Sequence, residues 1–375
     1  MTRVRDVRVD VLDVPFSMPV VASGHRWEVR RLAIVRLVAD DGLEGIGEVA
    51  TAAPGGLPGP NADELAGRFA DGLAGRFADL DPADLGDLDQ RLGTIDVWPG
   101  IGRALRSALE TAAVDLLARA DGRSVAASLA VNPRARVTLY GLVGIVSAEA
   151  AAREAAALAG AGFGCLKLKG GGERLTVLTE RVRAVRAAVG PSVRLRLDVN
   201  GAWSGLAEAI AAIEAVARFD LEYIEQPLPP ELGPGALATL RRAVSVPLAA
   251  DESVTDPAAA LALLEAGAVD VLVVKPARVG GLRQARRIAE LAADAGVPIV
   301  VSTLFETGIG VAAALHLAAT LHDGKWAHGL ATAGLLATDL LVEPLSIVDG
   351  QMTVPSGPGL GIRLDPAAMK TSRAA

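Results

Sequence analysis

Five segments decide the fold of this chain: LKLKGG (166–171), RLDVNGAW (196–203), YIEQP (223–227), AADES (249–253) and VVKPARVGG (273–281). Each is an apolar or alternating run that ends in a charged residue and then breaks at Gly, Pro or Ser. The charged tips are Lys169, Asp198, Glu225, Asp251 and Lys275, at intervals of 29, 27, 26 and 24 residues. Each interval accommodates one strand and one crossover helix, the unit that repeats around a (β/α)8 barrel.

Strand-like and helix-like stretches alternate from Arg136 onward. Helix starts are predicted at Ser147 and Asp256, and Gly267 and Gly296 are predicted stops. Eight such units predict an α/β fold with a complete barrel over residues 131–339. The predicted strands are 136–144, 165–170, 193–199, 221–226, 247–251, 269–275, 298–304 and 326–331.

The first 130 residues follow a different pattern. Residues 3–15 and 30–42 alternate apolar and polar side chains and are followed by LEGIGEV (43–49), which predicts a small antiparallel sheet. Helical patterns follow over 62–92 and 102–120, so residues 1–130 are predicted to form an α+β domain. The tail 340–375 contains a predicted hairpin at Asp349-Gly350, and we expect it to return to the N-terminal sheet.

Composition excludes several classes of protein. No run of 18 uncharged apolar residues occurs, and the first ten residues contain no apolar leader, so neither membrane insertion nor secretion is predicted. The formal charge of -7 and the lack of a basic stripe argue against nucleic-acid binding. The single cysteine, Cys165, agrees with a cytoplasmic protein and is predicted to be a packed core thiol rather than a nucleophile.

Three of the charged tips are carboxylates on consecutive predicted strands: Asp198, Glu225 and Asp251. In a barrel, inward side chains at the carboxyl ends of the strands form the active site. Oxygen donors without His or Cys suit a hard divalent cation, so Mg²⁺ is the predicted cofactor and Mn²⁺ the alternative. Without a cation these carboxylates would repel each other or stay partly protonated.

Lys169 and Lys275 lie on the strands that flank the three carboxylates. Lys167 points to the same side as Lys169, and with the metal charge it is expected to lower the pKa of Lys169 toward neutrality. A lysine of this kind can remove a proton from the carbon next to a metal-bound carboxylate, and Lys275 can stabilise the resulting enediolate. The predicted first step is therefore proton abstraction alpha to a carboxylate.

With these motifs the chain resembles the enolase superfamily, in its muconate-lactonizing-enzyme subgroup, over essentially its whole length. The resemblance implies a modified TIM barrel with an α+β capping domain that the C-terminal tail completes. It implies Lys169 as first base, Lys275 as second general acid/base, and the three carboxylates as metal ligands. It also implies a homo-oligomer that acts on a small carboxylate substrate.

Further residues near the strand ends are candidates for substrate contact. Asn200 is predicted either to contact the ligand or to support Asp198. Glu252 is predicted to support the metal ligands, with the role of a fourth ligand as the alternative. Glu306 is expected to meet substrate or a lysine, with capping of the helix near Gly308 as the alternative. Ser302 and Thr303 are also predicted to line the site at the end of the seventh strand. Lys167 is predicted to have a direct electrostatic role, with a solvated strand end as the alternative.

His25 and Arg26 lie in the segment SMPVVASGHRWEV (17–29), where the related enzymes fold a specificity loop over the barrel mouth. They are predicted to bind a substrate carboxylate, with surface decoration as the alternative. The remaining charged and His residues of interest are predicted to be structural: Arg194, Arg196, His316, His322 and His328.

The shared first step leaves the product open. Dehydration as in o-succinylbenzoate synthase, racemisation as in N-acylamino acid racemases and cycloisomerisation as in muconate cycloisomerase all fit the same lysines. AHGLATAGLL (327–336) lacks the Asp-x-Asp pair of dipeptide epimerases and, with residues 300–319, looks most like the synthases. Dehydration is therefore the predicted reaction. A catalytically silent binding barrel is the remote alternative, which a metal titration would distinguish.

Overall fold

The computed structural model describes residues 3–22, 25–51, 57, 75–93, 102–321 and 324–373. It contains an N-terminal capping domain and a curled parallel sheet surrounded by helices, as predicted from the sequence. Within the described residues, no helix combines the length and the apolar character that crossing a membrane requires.

The capping domain begins with a three-stranded antiparallel sheet in the order β1–β2–β3. These strands are β1 (Val4–Ala22), β2 (His25–Ala39) and β3 (Glu44–Val49). The helices α1 (Leu85–Gly93) and α2 (Gly102–Ala120) follow. A Cβ added at Gly47 would lie 1.9 Å from the carbonyl oxygen of Ala108, so glycine lets β3 contact the α2 backbone. The part of the predicted 62–92 helix that precedes residue 75 lies outside the described residues.

Residues 17–22 and 25–29 belong to β1 and β2 instead of a loop, with an irregular register between Pro15 and Val20. β1 and β2 stay paired to their tips, where Val20 is opposite Trp27 and Ala22 is opposite His25. β-branched and aromatic side chains favour this extended pairing, and their effect prevails over the Pro and Ser residues of the segment. The base of the hairpin reaches the barrel, since Phe16 forms a bridge with Leu336.

The barrel contains seven parallel strands in the order β5 to β11. Their bounds are β5 (Gly141–Val143), β6 (Cys165–Lys169), β7 (Arg194–Asp198), β8 (Leu221–Glu225), β9 (Leu248–Ala250), β10 (Val271–Val274) and β11 (Ile299–Val301). The eighth predicted strand, 326–331, is reduced to single bridges from His328 to Leu139 and from Gly329 to Ser302, and these bridges close the ring.

The helices between the strands cover the outer face of this sheet, and Ser147 and Asp256 cap two of them as predicted. The helices after α2 are α3 (Val125–Leu129), α4 (Ala148–Gly160), α5 (Leu175–Val189), α6 (Leu206–Ala217), α7 (Gly233–Ala243), α8 (Pro257–Glu265), α9 (Pro276–Val279), α10 (Leu282–Asp294), α11 (Gly308–Ala319) and α12 (Pro366–Thr371). Short 3₁₀ turns span Pro230–Leu232 and Ala331–Leu335.

The C-terminal tail differs from the prediction in its pairing partner. The hairpin at Asp349-Gly350 is confirmed, with both residues at positive φ between β12 (Ile347–Val348) and β13 (Gln351–Thr353). β13 pairs with β4 (Arg136–Thr138), not with the N-terminal sheet. The predicted strand 136–144 is therefore two strands, because its first half joins this hairpin and its second half joins the barrel. Near the end of the tail, Arg373 forms a bridge with Leu12 of β1.

Candidate active site

The charged tips lie together at the carboxyl ends of neighbouring strands. Lys169 is the register partner of Asp198, which is in turn the register partner of Glu225. Asp251 directly follows β9, and Lys275 directly follows β10. The five residues therefore project from five consecutive strands of the sheet, at the end where barrel active sites are found.

The carboxylates are fully buried and paired with basic side chains. Lys167 Nζ lies 2.9 Å from Asp198 Oδ2 and 2.8 Å from Glu225 Oε1. Lys169 Nζ lies 2.7 Å from the same Asp198 oxygen. On the other side, Lys275 Nζ is 2.6 Å from Asp251 Oδ2. Buried charges persist only when they are paired, so this cluster is a built feature of the barrel mouth.

These carboxylates fit a divalent cation by their chemistry. They supply oxygen donors only, and Glu225 Oε2 is a buried atom with no hydrogen-bond partner among the described residues. Burial and the neighbouring Asp198 charge raise the pKa of Glu225 to about 8. As the side chains stand, no group of three or more His, Cys, Asp or Glu in the described ranges is arranged to hold a metal. The ammonium groups contact the oxygens that a hard cation such as Mg²⁺ would bind.

The predicted lowering of the Lys169 pKa depends on the metal charge as well as on Lys167, and it stays a prediction. Burial alone would lower the pKa of Lys169, but the negative charges of Asp198 and Glu225 raise it above its ordinary value. Lys167 does act in the expected direction, but its effect is smaller than that of the carboxylate in contact. For Lys275, burial dominates over Asp251 and the net result is a lowered pKa.

Lys167 and Asn200 are both integrated into the cluster. Lys167 is only 4% exposed and its Nζ lies 5.1 Å from the centre of the Tyr140 ring, so the alternative of a solvated strand end is wrong. The Asn200 side chain accepts from Lys169 Nζ at 2.9 Å and donates to Glu252 Oε1 at 2.9 Å. Its backbone N–H donates to Asp198 Oδ1. Asn200 therefore supports Asp198, and both Asn200 and its partner Glu252 line the cavity.

Two residues that organise the ligand end of β9 were missed from the sequence. Gln226 is fully buried, and its side-chain oxygen accepts from the backbone N–H groups of Asp251 and Ser253, each at 3.0 Å. Arg278, in α9, places Nη1 2.5 Å from Asp251 Oδ1. Two sequence signals could have found them. Gln226 directly follows a predicted ligand, and Arg278 follows Lys275 by three residues, a spacing that places two side chains on the same helical face.

A cavity of about 220 Å³ opens beside this cluster. Its wall combines polar groups of the predicted site with the apolar side chains of Leu142, Leu304 and Phe305. The predicted residues that line it are Lys167, Lys169, Lys275, Asn200, Glu252, Ser302 and Thr303. A larger open groove of about 980 Å³ lies near Arg134 and Pro298, which precedes β11, and none of the predicted site residues lines it. Barrel chemistry belongs to the carboxyl ends of the strands, so the smaller cavity is the candidate site.

Glu306 and Arg26 are not among the residues that line this cavity in the described structure. Glu306 is buried beside Glu48 and Arg30 and accepts from the backbone N–H of Leu304. Burial and the Glu48 charge raise the pKa of Glu306 to about 7. Thr307, not Glu306, caps α11, so the capping alternative for Glu306 is wrong. Arg26 is exposed and pairs with Glu28, and the His25 side chain lies outside the described part of the chain.

The residues predicted to be structural are confirmed in that role where the structure describes them. Arg194 and Arg196 both pair with Glu222 inside the barrel, and the Arg196 guanidinium lies 4.7 Å from the centre of the Tyr223 ring. His316 and His328 bind backbone groups, and burial lowers the pKa of His316 to about 4. Burial raises the pKa of the Cys165 thiol to about 11. His322 lies outside the described residues.

Comparison with known proteins gives two family matches. The model described as "Enolase C-terminal domain-like" matches residues 150–368. The model described as "Mandelate racemase / muconate lactonizing enzyme, N-terminal domain" matches residues 5–129. The predicted domain boundary at residue 130 falls between these matches and stays a prediction.

Individual relatives point to two activities. Muconate cycloisomerase 1-1 of Acinetobacter lwoffii is 32% identical over 361 residues, which is 95% of this chain and 92% of the relative. An o-succinylbenzoate synthase of Thermobifida fusca is 44% identical over 200 residues, and the match spans 52% of this chain and 61% of the synthase. The structure of muconate lactonizing enzyme from Pseudomonas fluorescens, complexed with muconolactone, is similar with a TM-score of 0.89 and 26% identity over 99% of both chains.

Proposed function

The chain belongs to the mandelate racemase / muconate lactonizing enzyme family of the enolase superfamily, and we propose that it removes a proton alpha to a substrate carboxylate. The observation that carries this proposal is the row of three buried carboxylates with a lysine ammonium on each side, beside one cavity. The proposed substrate is a small carboxylic acid. The proposed metal ligands are Asp198, Glu225 and Asp251.

In this proposal the two lysines have different tasks. Lys169 has the more accessible side chain, with 31% exposed, and it takes the proton from the substrate carbon. Lys275 is buried on the opposite side of the carboxylate row and holds a positive charge against the electron-rich intermediate. Lys167 positions Asp198 through an ion pair, and Asn200 positions Lys169 through a hydrogen bond.

Asp198, Glu225 and Asp251 would hold Mg²⁺, which would supply positive charge that compensates for these carboxylates and attracts the substrate carboxylate. Lys169 can act as a base only after it has released its own proton. The Asp198 charge holds the pKa of Lys169 high, and compensation of that charge would lower this pKa and favour the neutral amine.

The specific reaction that we propose is dehydration of the o-succinylbenzoate synthase type. Its support is the 44% identity to a synthase, the highest among the relatives described above, although that match covers only part of either chain. In this reaction Lys169 removes the alpha proton, and the hydroxyl on the neighbouring carbon leaves as water after it accepts a proton from a lysine ammonium. A small cavity with apolar walls formed by Leu142, Leu304 and Phe305 suits a ring-containing acid.

Cycloisomerisation of a muconate is the second candidate. It is favoured by the relatives that match over the full length, with 32% identity over 95% of this chain and a solved structure at a TM-score of 0.89. Racemisation of an N-acylamino acid uses the same two lysines on opposite sides of the substrate. All three reactions therefore belong in one assay.

The test is incubation with Mg²⁺ in D₂O, with the o-succinylbenzoate precursor, N-succinylamino acids and cis,cis-muconate offered separately. We expect formation of o-succinylbenzoate, and we expect Lys169→Ala to lower kcat by at least ~1,000-fold. Lys370→Ala is the matched control, because Lys370 is exposed in α12, far from the cluster in sequence.

Each outcome distinguishes the candidates. Deuterium at the alpha carbon of recovered N-succinylamino acids, with no dehydration, would replace the synthase proposal by racemisation. Lactone formation from muconate alone would replace it by cycloisomerisation. Full turnover by Lys169→Ala on the best substrate would show that the proposed base is wrong.

A further inference from the structure

One wall of the cavity is formed by a turn with an unusual backbone conformation. Leu304 and Phe305 follow β11 and both line the cavity. Phe305 has a φ of +59°, in the left-handed region that side chains with a Cβ rarely occupy. A bulky residue keeps this conformation only when its surroundings over-determine it. The position of the Phe305 ring therefore depends on the groups packed behind it.

A buried arginine of the capping domain contacts this turn directly. Arg30, in β2, is fully buried and its Nη2 donates to the carbonyl oxygen of Leu304 at 2.6 Å and to that of Thr51 at 2.9 Å. Its guanidinium carbon lies 5.7 Å from the centre of the Phe305 ring. The Phe16 ring meets Phe305 edge-on, with centroids 6.2 Å apart. Arg30 thus binds the peptide on one side of the strained residue and also covers its ring.

A second residue of the same sheet fixes the far end of the turn. Glu48, in β3, is 5% exposed and accepts from the backbone N–H groups of Thr307 and Gly310 and from the Thr307 hydroxyl. The first turn of α11 is therefore anchored on the capping domain by hydrogen bonds in which Arg30 takes no part. With the helix anchored, the peptide between Leu304 and Phe305 is the part of the segment whose position Arg30 determines.

We propose that Arg30 is a positioning residue that places the Phe305 ring and thereby sets which substrates fit the cavity. The proposal rests on the proposed function only for the identity of the substrate, because Phe305 would contact the apolar part of the acid, away from the reacting carboxylate. Arg30 lies behind the turn and has no part in proton transfer. Its loss therefore weakens substrate binding and leaves the lysine chemistry in place.

The variant Arg30→Lys keeps the positive charge among Glu48 and Glu306 but loses the planar group that binds the carbonyl oxygens and covers the ring. Arg31→Lys is the matched control, because it makes the same change at the next residue. Arg31 pairs with Asp13 at 2.7 Å instead of with the turn. Phe305→Leu removes the ring itself, and the double variant Arg30→Lys/Phe305→Leu tests whether the two residues act together.

Two readouts test the proposal. In a crystal structure of Arg30→Lys we expect Phe305 to leave the left-handed region and its ring to move. In steady-state kinetics with the best substrate, we expect Arg30→Lys to raise KM about tenfold while kcat changes less than about threefold, and the double variant to match Phe305→Leu. Arg31→Lys is expected to behave like the unmodified protein in both.

The proposal is overturned if Phe305 keeps its conformation in Arg30→Lys. It is also overturned if the KM effects of Arg30→Lys and Phe305→Leu multiply, or if Arg30→Lys lowers kcat and the melting temperature with no effect on KM, as a purely structural residue would. The crystal structure decides the positioning claim without any substrate. A failure of the proposed function, seen as no turnover of any acid offered, is therefore distinguishable from a failure of this inference.

Discussion

The free energy of unfolding is expected to fall between about pH 5 and pH 8, and Glu110→Gln is expected to remove much of this fall. Glu110 lies in α2 of the capping domain and is fully buried. Its Oε1 accepts from the backbone N–H of Arg283, in the first turn of α10, at 2.6 Å. Its Oε2 is buried with no hydrogen-bond partner among the described residues. This carboxyl therefore links the two domains at a poorly solvated position.

The size of the effect follows from the pKa of this group. Burial raises the pKa of Glu110 from 4.5 to about 7, although the Arg283 N–H bond and the charges of Arg283 and Arg106 partly oppose it. The folded protein thus keeps this proton up to about pH 7, whereas the unfolded chain releases it near its ordinary pKa. Between these values the folded state binds more protons, so the free energy of unfolding falls as pH rises. A shift of this size corresponds to about 3 kcal/mol, fully lost above pH 7.

The Glu110→Gln side chain cannot ionise but keeps the oxygen that accepts from Arg283. We therefore expect it to be less stable than, or equal to, the unmodified protein at about pH 5 and more stable at about pH 8. The change in the free energy of unfolding that Glu110→Gln causes is expected to differ by about 3 kcal/mol between these two pH values. Urea unfolding followed by far-UV circular dichroism at both pH values measures it. Glu290→Gln, at an exposed position in α10, is the control and is expected to change stability by less than about 0.5 kcal/mol.

The reasoning would be refuted by parallel pH profiles for Glu110→Gln and the unmodified protein. The comparison is specific because other buried carboxyls that titrate in this range, such as Glu306, contribute equally to both proteins. A stabilisation by Glu110→Gln that is the same at both pH values would mean that packing, not ionisation, is responsible.

Three further predictions test the site and its scaffold. Asp198→Asn is expected to lower Mg²⁺ affinity at least ~100-fold in calorimetry, because it removes a charged oxygen from the carboxylate row, and unchanged affinity would reject Asp198 as a ligand. Gly162→Ala is expected to destabilise the protein by about 2–4 kcal/mol in urea unfolding, since Gly162 has a φ of +91° and an added Cβ would lie 2.5 Å from Asp349 Cα. Gly160→Ala, with nothing within 4 Å, is the neutral control, and equal effects would contradict the argument. Cys165→Ala is expected to keep full turnover. The native thiol is expected to resist Ellman's reagent, because burial raises the pKa of Cys165 to about 11. Rapid labelling of the folded protein would contradict this.

The central strands could be predicted closely because each is a short apolar run with a clear stop. Predicted strands 165–170 and 221–226 correspond to Cys165–Lys169 and Leu221–Glu225. Parallel strands are buried on both faces, so a break at Gly or Pro marks their ends in the sequence itself. The predicted strand 136–144 failed because its two halves pair with β13 and with β6, and local pattern carries no information about such distant partners.

The candidate site shows the same limit. Residue type and strand position were sufficient to bring Lys169, Asp198 and Glu225 to one level of the sheet. They were not sufficient for the Lys169 pKa, because the balance between a carboxylate at 2.7 Å and burial depends on distances that spacing cannot give. Nor could they reveal Arg30, whose hydrogen bond to Leu304 joins residues 274 positions apart.

The capping domain uses its buried charged groups to hold the barrel segments that follow β10 and β11. Glu110 binds the start of α10 just after Lys275 and Arg278, and Glu48 binds the start of α11 just after Phe305. Carboxylates are favourable at helix N-termini, and they direct the two domains into one relative position. The proposed base and two of the proposed ligands instead lie on β6 to β8 within the barrel sheet. Substitutions in the capping domain should therefore alter substrate affinity and stability while proton abstraction continues, which separates the evolution of specificity from that of the shared chemical step.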